Sequence, residues 1–288
     1  MATNMSYSRI LTLKDGRKLG YAEYGVPTGF PVLGFHGTPG SRLMMKVVEN
    51  AALANGVRLI APDRPGYGLS QPNRKATMLR YIDDIIELTK DLNIERFAVI
   101  GASGGGPYTL ACAYRIPTCI SRIGLISGIG PLSLPGSIRG MIPANRIMFQ
   151  VGRVSPRLAG LLLSHLIKSS LSSMEQHVKN GTSPTHDLSP EIFTIIAADQ
   201  QETIRAGGQG IVFDMQILWR DWGFNLEDIQ SKVYLWHGEA DNLAPASLAH
   251  YIVDHLADCE ATFFPNEGHT DMLTKHIHEI MVKMVDIY

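Results

Sequence analysis

The sequence has few of the features that mark secreted or membrane-spanning proteins. Among its 288 residues are only 3 cysteines, Cys112, Cys119 and Cys259, and they form no CxxC pair, so we expect no disulfide framework and a reducing, cytoplasmic location. The longest apolar stretch, residues 158–167, is far shorter than the ~20 residues that span a bilayer. The amino terminus has neither a basic nor an apolar signal region, so we expect no secretory signal.

A surplus of charge of either sign is also absent. The chain carries 26 Lys+Arg against 27 Asp+Glu, a net charge of −1. No basic excess exists to neutralise a phosphate backbone or an anionic bilayer, so we expect neither a nucleic-acid partner nor a membrane partner. Hydrophobic residues make up 45% of the chain, which excludes a disordered polar protein. We expect a globular protein with a small-molecule substrate; formation of a homodimer is left open.

Short apolar runs alternate with helical patterns along the first 128 residues. Such alternation predicts parallel β-α-β units. Asp15-Gly16 predicts a hairpin near the amino terminus. Residues 130–230 contain helical segments and no convincing strand, and the alternation then resumes. We therefore predict an α/β core from residues 1–129 and 231–288, with residues 130–230 inserted as a helical unit. The predicted strands cover residues 9–14 and 18–24, which flank Asp15-Gly16, and residues 31–36, 57–61, 97–100, 120–126, 233–236 and 261–264.

Two further segments are predicted to be helical. Residues 41–55 are expected to form one helix, with Ser41 as its N-cap and Asn55-Gly56 as its stop signal. Residues 270–285 are expected to form a single helix at the carboxyl terminus.

The segment Gly101-Ala102-Ser103-Gly104-Gly105 fits the pattern G-x-S-x-G between a predicted strand and a predicted helix. This context is typical of a nucleophilic serine on a tight turn. A phosphate-binding loop does not fit, because Pro107 follows Gly106 where a P-loop requires lysine. A dinucleotide fingerprint fails at Thr109, where it requires glycine. The pattern therefore predicts that Ser103 is a nucleophile.

A serine nucleophile requires a base, and the base requires an orienting carboxylate. His269 follows the last predicted strand, and Asp241 follows the strand before it. The carboxyl ends of parallel strands lie at one edge of a sheet, where ligands bind. The chain order Ser103, Asp241, His269 is the order found in α/β-hydrolases. Glu239, two residues before Asp241, is the rival acid.

An acyl-transfer site also requires two backbone donors for the oxyanion. Gly104, which follows the nucleophile, is predicted to supply one. The loop from His36 to Gly40 is predicted to supply the other from Thr38, since Pro39 has no N–H. His36 is expected to brace this loop rather than transfer protons. The turn Asp63–Pro72 is given no acid–base role, and Asp63 and Arg64 are expected to hold it by local hydrogen bonds.

Together, the motifs HGTPGSR, DRPGYGLS, GASGGGPY, WHGEAD and NEGH resemble the α/β-hydrolase superfamily, in order and in spacing. The resemblance covers residues 9–128 and 232–286. It implies a doubly wound, mostly parallel sheet of about eight strands, with residues 130–230 as a helical cap over the pocket. Members with an aspartate nucleophile, such as haloalkane dehalogenases, differ from this sequence at Ser103. Proline iminopeptidases usually carry HGGPG where this chain has HGTPG.

We therefore predict a serine hydrolase, a carboxylesterase that cleaves a small or medium ester through an acyl-enzyme. Ser103, His269 and Asp241 form the predicted triad, with the N–H groups of Thr38 and Gly104 as oxyanion hole. No cofactor and no metal are expected. The alternatives on the same site are C–C bond hydrolysis, lyase chemistry or cofactor-free oxygenase chemistry. A ligand-binding receptor with slow turnover is the alternative from another functional class.

Overall fold

The computed structural model describes residues 7–183 and 189–285. Eight strands lie in this part of the chain: β1 (Arg9–Thr12), β2 (Lys18–Gly25), β3 (Phe30–Phe35), β4 (Val57–Pro62), β5 (Phe97–Ala102), β6 (Ile120–Ile126), β7 (Val233–Gly238) and β8 (Cys259–Phe264). They form one sheet in the order β1-β2-β4-β3-β5-β6-β7-β8. β2 pairs antiparallel with β1 and β4, and all other neighbours are parallel. The predicted sheet of about eight mostly parallel strands is confirmed.

The described helices are α1 (Glu49–Ala54), α2 (Met78–Asp91), α3 (Gly106–Arg115), α4 (Pro143–Val154), α5 (Pro156–Lys179), α6 (Pro190–Thr203), α7 (Gln209–Leu218), α8 (Ala246–His255), α9 (Asp271–Thr274) and α10 (Ile277–Val285). Apolar side chains of α2, α3 and α8 pack on one face of the sheet, and those of α1 and α10 on the other. Successive residues of β5 alternate between these layers: Val99 faces the first, while Ala98 and Ile100 face the second. Such burial on both faces is typical of a doubly wound parallel sheet.

Four of the described helices, α4 to α7, lie between β6 and β7; we call residues 130–230 the helical insertion. A third apolar cluster joins it to the core, with Tyr67 and Ile129 packed beside Ile211 and Met215. On α6, Asp199 accepts hydrogen bonds of 2.7 Å from both the backbone N–H and the hydroxyl of Ser41. Burial raises the pKa of this Asp199 carboxyl to about 7. Apolar contacts and buried hydrogen bonds thus hold the insertion on the core.

Two predicted helices are divided in the structure, and each division has a local cause. Residues 41–55 form a 3-10 turn over Arg42–Val48 followed by α1, and the β-branched pair Val47-Val48 at the junction is a poor helix former.

Residues 270–285 form α9 and α10, separated at His276. His276 stacks on Phe264 and binds the Glu267 carboxylate at 2.7 Å, which draws the chain out of helical geometry.

No helix among the described residues is long and apolar enough to cross a bilayer.

Candidate active site

Ser103 lies directly after β5, in a turn whose backbone is unusual for a residue with a side chain. Its φ of +53° lies in the left-handed region, a conformation that costs roughly 1–3 kcal/mol for residues other than glycine. The turn is also crowded. A Cβ on Gly101 would collide with the Thr109 hydroxyl, and one on Gly105 would collide with the carbonyl of Phe35. Glycines two residues before and after Ser103 are therefore a steric requirement of this turn.

Asp241 and His269 are in direct contact. The Nδ1–H of His269 donates to Oδ2 of Asp241 at 2.7 Å. Oδ1 of Asp241 accepts the backbone N–H groups of Leu243 and Ala244, each at 2.8 Å. Burial disfavours the charge, but the hydrogen bond from His269 and those from the backbone outweigh it and lower the pKa of Asp241. Asp241 is therefore an ionised carboxylate that fixes the orientation of the imidazole.

The loops that carry these two residues contact each other at the ends of β7 and β8. The backbone N–H of Ala240 donates to the carbonyl of Glu267 at 3.0 Å. A Cβ on Gly238, the last residue of β7, would collide with that same carbonyl. The close approach of the strand ends brings Asp241 and His269 together although 28 residues separate them.

Ser127, just after β6, links the histidine loop to the serine turn. Its backbone is left-handed with a φ of +48°, and its hydroxyl donates to the carbonyl of His269 at 2.9 Å. Two residues later, the N–H of Ile129 donates to the carbonyl of Ser103 at 3.0 Å. One short segment thus holds both residues at the same edge of the sheet. The sequence analysis did not identify Ser127, and an isolated serine before glycine carries no motif that would have revealed it.

The loop after β3 lies against the serine turn. A Cβ built on Gly104 would lie 3.1 Å from the backbone nitrogen of Thr38 and would collide with its side chain. A Cβ on Gly37 would lie 3.4 Å from the Cβ of Ser103. The two backbone nitrogens predicted to bind an oxyanion, those of Thr38 and Gly104, therefore belong to adjacent segments beside Ser103.

A buried ion pair supports this loop from the helical insertion. Asp214 of α7 binds Arg64 at 2.6 Å, and both side chains are almost fully buried. The hydroxyls of Tyr67 and Tyr108 donate to Asp214 at 2.9 and 3.0 Å. Although burial opposes a charge on Arg64, the Asp214 carboxylate raises the pKa of Arg64 above its ordinary value. Such a buried pair is sensitive to the loss of either partner, which would leave an unpaired charge.

Thr38 is attached to this ion pair by its side chain. Its hydroxyl donates to Oδ2 of Asp214 at 2.6 Å and accepts from Arg64 at 2.9 Å. Arg64 also donates to the carbonyls of His36 and Gly37. The expected local hydrogen bonds are found for Asp63, which accepts the N–H of Leu69, but the Arg64 side chain binds outside its own turn. A carboxylate alone in the apolar sequence of α7, IVFDMQIL, is the signal by which Asp214 could have been found.

His36 is fully buried within the same loop. One ring nitrogen, Nδ1, lies 2.9 Å from the carbonyl of Gly37, and the other accepts the backbone N–H of Arg64 at 3.2 Å. Burial, followed by the charge of Arg64, holds the pKa of His36 well below its usual value. His36 is thus a neutral ring that supports the loop through the contacts of its two nitrogens.

Glu239, the rival acid, faces away from His269. Its carboxylate is 38% exposed and binds His250 at 3.0 Å. Among the described residues, no group of three histidine, cysteine or acidic side chains is arranged to hold a metal ion.

Ser103, on its strand–turn–helix, and the hydrogen-bonded pair His269 and Asp241 thus lie at the carboxyl edge of one parallel sheet. The sequence pattern of the family described as alpha/beta hydrolase fold matches residues 31–276. The protein belongs to this family.

Individual relatives agree with the family but differ in their named activities. The uncharacterized hydrolase YcgS of Bacillus subtilis is 23% identical over 277 residues, which are 92% of this chain and 93% of that protein. A non-heme chloroperoxidase of Streptomyces lividans is 31% identical over 156 residues, 49% of this chain; the match spans only 56% of that protein. An esterase from Exiguobacterium antarcticum superposes with a TM-score of 0.68 at 19% identity, covering 96% of this chain and 97% of the esterase. At this identity the esterase shows the fold alone.

Proposed function

We propose that this protein is a serine hydrolase, a carboxylesterase that cleaves small or medium esters with an apolar acyl or alcohol part. The observation that carries the proposal is the 2.7 Å hydrogen bond between His269 and the ionised Asp241, at the sheet edge where Ser103 occupies its left-handed turn. An imidazole held in this way presents its other nitrogen, Nε2, as a proton acceptor. A hydrogen-bonded histidine and aspartate at the sheet edge that carries a strained serine form an arrangement that acyl transfer uses.

The proposed reaction proceeds through an acyl-enzyme. Ser103 Oγ attacks the ester carbonyl carbon as its proton passes to Nε2 of His269. The carbonyl electron pair moves onto oxygen, and the N–H groups of Thr38 and Gly104 stabilise this oxyanion. The intermediate collapses, the C–O bond to the alcohol breaks, and the alcohol takes the proton from His269. Water repeats the sequence on the acyl-enzyme and releases the acid.

We also propose that residues 130–230 act as a cap over this site, on a core made of residues 1–129 and 231–288. The apolar cluster shared by the insertion and the core supports the proposal, since Met141, Ile211 and Met215 pack there with Ile129. An apolar boundary between core and cap favours substrates with an apolar part. The proposed substrate is a small molecule, the proposed location is cytoplasmic, and no nucleic acid takes part.

Covalent labelling tests the proposed nucleophile. Because a fluorophosphonate reacts with serines activated by a base, we expect one label per chain, located on Ser103 by peptide mass spectrometry. A label on another residue, together with retained ester turnover, would contradict the assignment of Ser103. Denatured protein, in which the His269–Asp241 pair is lost, serves as the control and should remain unlabelled.

A panel of esters of increasing chain length tests the substrate class on the same preparation. We expect saturable turnover that depends on chain length. Labelling of Ser103 without turnover of any ester in the panel would show that the nucleophile is correct and that the ester class is wrong, as the C–C hydrolase alternative requires.

The contact between Thr38 and Asp214 gives a prediction for the oxyanion hole. Thr38→Ala keeps the backbone N–H but removes the hydroxyl that binds Asp214 and Arg64. We expect kcat to fall by about 10- to 100-fold, because the displaced N–H no longer aligns with the oxyanion of the transition state. KM should change little, because substrate binding does not depend on that alignment. Thr38→Ser, which retains the hydroxyl, should stay within about threefold of the wild-type kcat. If Thr38→Ala retains the wild-type kcat, the side-chain contact does not position the donor.

A further inference from the structure

The net charge of the chain is only −1, but the charged residues are distributed unevenly along the sequence. Residues 96–174 contain eight arginines and lysines and no aspartate or glutamate, so all 27 carboxylates lie elsewhere in the chain. Five of these cations, Arg139, Arg146, Arg153, Arg157 and Lys168, belong to the first half of the helical insertion. Net charge therefore underestimates the attraction of this region for an anionic surface.

The helices α4 and α5 in this region expose apolar side chains. Val154 is 86% exposed and Leu161 is 69% exposed. We call the exposed set the apolar stripe; its members are 41% to 86% exposed and comprise Ile147, Val154, Leu158, Leu161, Leu162 and Leu166. Single exposed leucines are ordinary on a protein surface, but six on two adjacent helices mark an interaction surface.

The opposite faces of the two helices are already occupied. A Cβ on Gly152 of α4 would lie 2.6 Å from Sδ of Met215, and one on Gly160 of α5 would lie 2.5 Å from Val212. Both contacts are with α7, so the glycines allow α4 and α5 to pack closely on it. The apolar stripe therefore lies on the side of α4 and α5 that faces away from the core.

Each of the two helices also carries cations that project together. At about 100° per residue, Arg146 and Arg153 project within about 20° of each other on α4, as do Arg157 and Lys168 on α5. In the part of the chain that the structure describes, none of these four side chains forms an ion pair. Their charges are thus available to a partner.

Three of the arginines meet at a groove beside α4. The groove has a volume of about 740 Å³, and Arg139, Arg146, Arg153 and Trp219 are among its lining residues. The guanidinium of Arg153 lies 5.2 Å from the ring centre of Trp219. Arginine binds phosphate groups well, and tryptophan is enriched at the boundary between lipid and water.

We propose that this face of the helical insertion binds the surface of an anionic phospholipid bilayer. The apolar stripe enters the boundary between headgroups and acyl chains, and the arginines of the groove bind lipid phosphates. Apolar side chains beside unpaired cations are the combination that interfacial helices use. A second copy of the chain fits less well. In a two-fold dimer each face meets its own copy, and residues 130–174 hold no carboxylate to pair with the opposing cations.

Vesicle flotation with the full chain tests this proposal. We expect the protein to float with vesicles of phosphatidylglycerol and phosphatidylcholine, and to remain behind with phosphatidylcholine alone. Binding should weaken as salt rises from about 0.1 M to about 0.5 M, because salt screens the charges. The double variant Arg146→Gln, Arg153→Gln should bind about 20-fold more weakly. Leu161→Asp should abolish flotation.

Matched substitutions on the core serve as controls. Arg74 and Lys75 are exposed, and replacing both with glutamine changes the net charge as much as the α4 double variant does. Leu53 on α1 is 51% exposed, so Leu53→Asp matches Leu161→Asp in chemistry. Both controls should float like the wild type. The thermal unfolding midpoint verifies folding in every variant, and Ser103→Ala should float unchanged, which separates this proposal from the proposed esterase activity.

Three results would overturn the proposal. The first is a wild-type protein that does not float with anionic vesicles at low salt, and the second is a loss of binding in the core controls as large as that in the insertion variants. The third is a dimer in solution that Leu161→Asp separates into monomers, without any vesicle binding; the stripe would then be an interface between copies.

Discussion

Ser103→Ala is expected to lower ester turnover by about 10⁴-fold or more, because the remaining rate enhancement comes from the oxyanion hole and substrate binding alone. The substitution removes the only atom that bonds to the substrate in the proposed mechanism. Steady-state kinetics with the best ester of the panel, together with loss of fluorophosphonate labelling, measure the effect.

The fold should be unaffected by this substitution. Alanine adopts the left-handed backbone of residue 103 with about the same strain as serine, so the thermal unfolding midpoint should remain close to that of the wild type. Turnover within tenfold of the wild type by a folded Ser103→Ala protein would exclude Ser103 as nucleophile.

Asp241→Asn is expected to lower turnover by about 10⁴-fold while leaving substrate binding intact. Oδ1 of Asp241 accepts two backbone N–H groups, so the amide oxygen of asparagine takes that position. The amide nitrogen then faces Nδ1 of His269 as a donor, and Nδ1 must become the acceptor. The ring proton moves to Nε2, which can no longer accept the proton of Ser103.

Glu239→Gln is the matched control for this variant. Glu239 is two residues from Asp241 and loses the same charge, but its exposed carboxylate binds His250 rather than His269. We expect a change in turnover of less than about threefold, since exposed ion pairs contribute little. If Glu239→Gln loses its ester turnover while Asp241→Asn remains active, the orienting acid has been misassigned. The serine and histidine assignments would stand.

The sequence analysis was accurate where a feature depends on residues near each other in the chain. The strands are short apolar runs, and their alternation with helices is enough to predict a parallel sheet. The G-x-S-x-G pattern lies within five residues, although only Gly101 is crowded by neighbours in the chain, and Gly105 is crowded by the carbonyl of Phe35. The prediction of single helices over 41–55 and 270–285 was wrong: the β-branched pair Val47-Val48 lies at the first break, and Glu267 binds His276 at the second.

The candidate site was predictable only in part, and the roles of its residues stay predictions. Ser103, Asp241 and His269 were selected from their positions after strands, since topology places such residues at one edge. Ser127 was not identified, because its link to the His269 carbonyl joins residues 142 positions apart. The contact of Thr38 with Asp214 joins residues 176 positions apart, and no local pattern encodes it.

By itself, then, the sequence determined the class of fold and the location of the strand–turn–helix that carries Ser103, because hydrophobic periodicity and the G-x-S-x-G pattern each involve residues close together in the chain. The tertiary structure alone decided which buried charges meet, as Arg64 and Asp214 do, and which leucines of α5 remain exposed. Both depend on how the helical insertion packs on the core. That packing is the sum of many weak contacts between distant segments. The sequence of one chain does not show which of these segments contact each other.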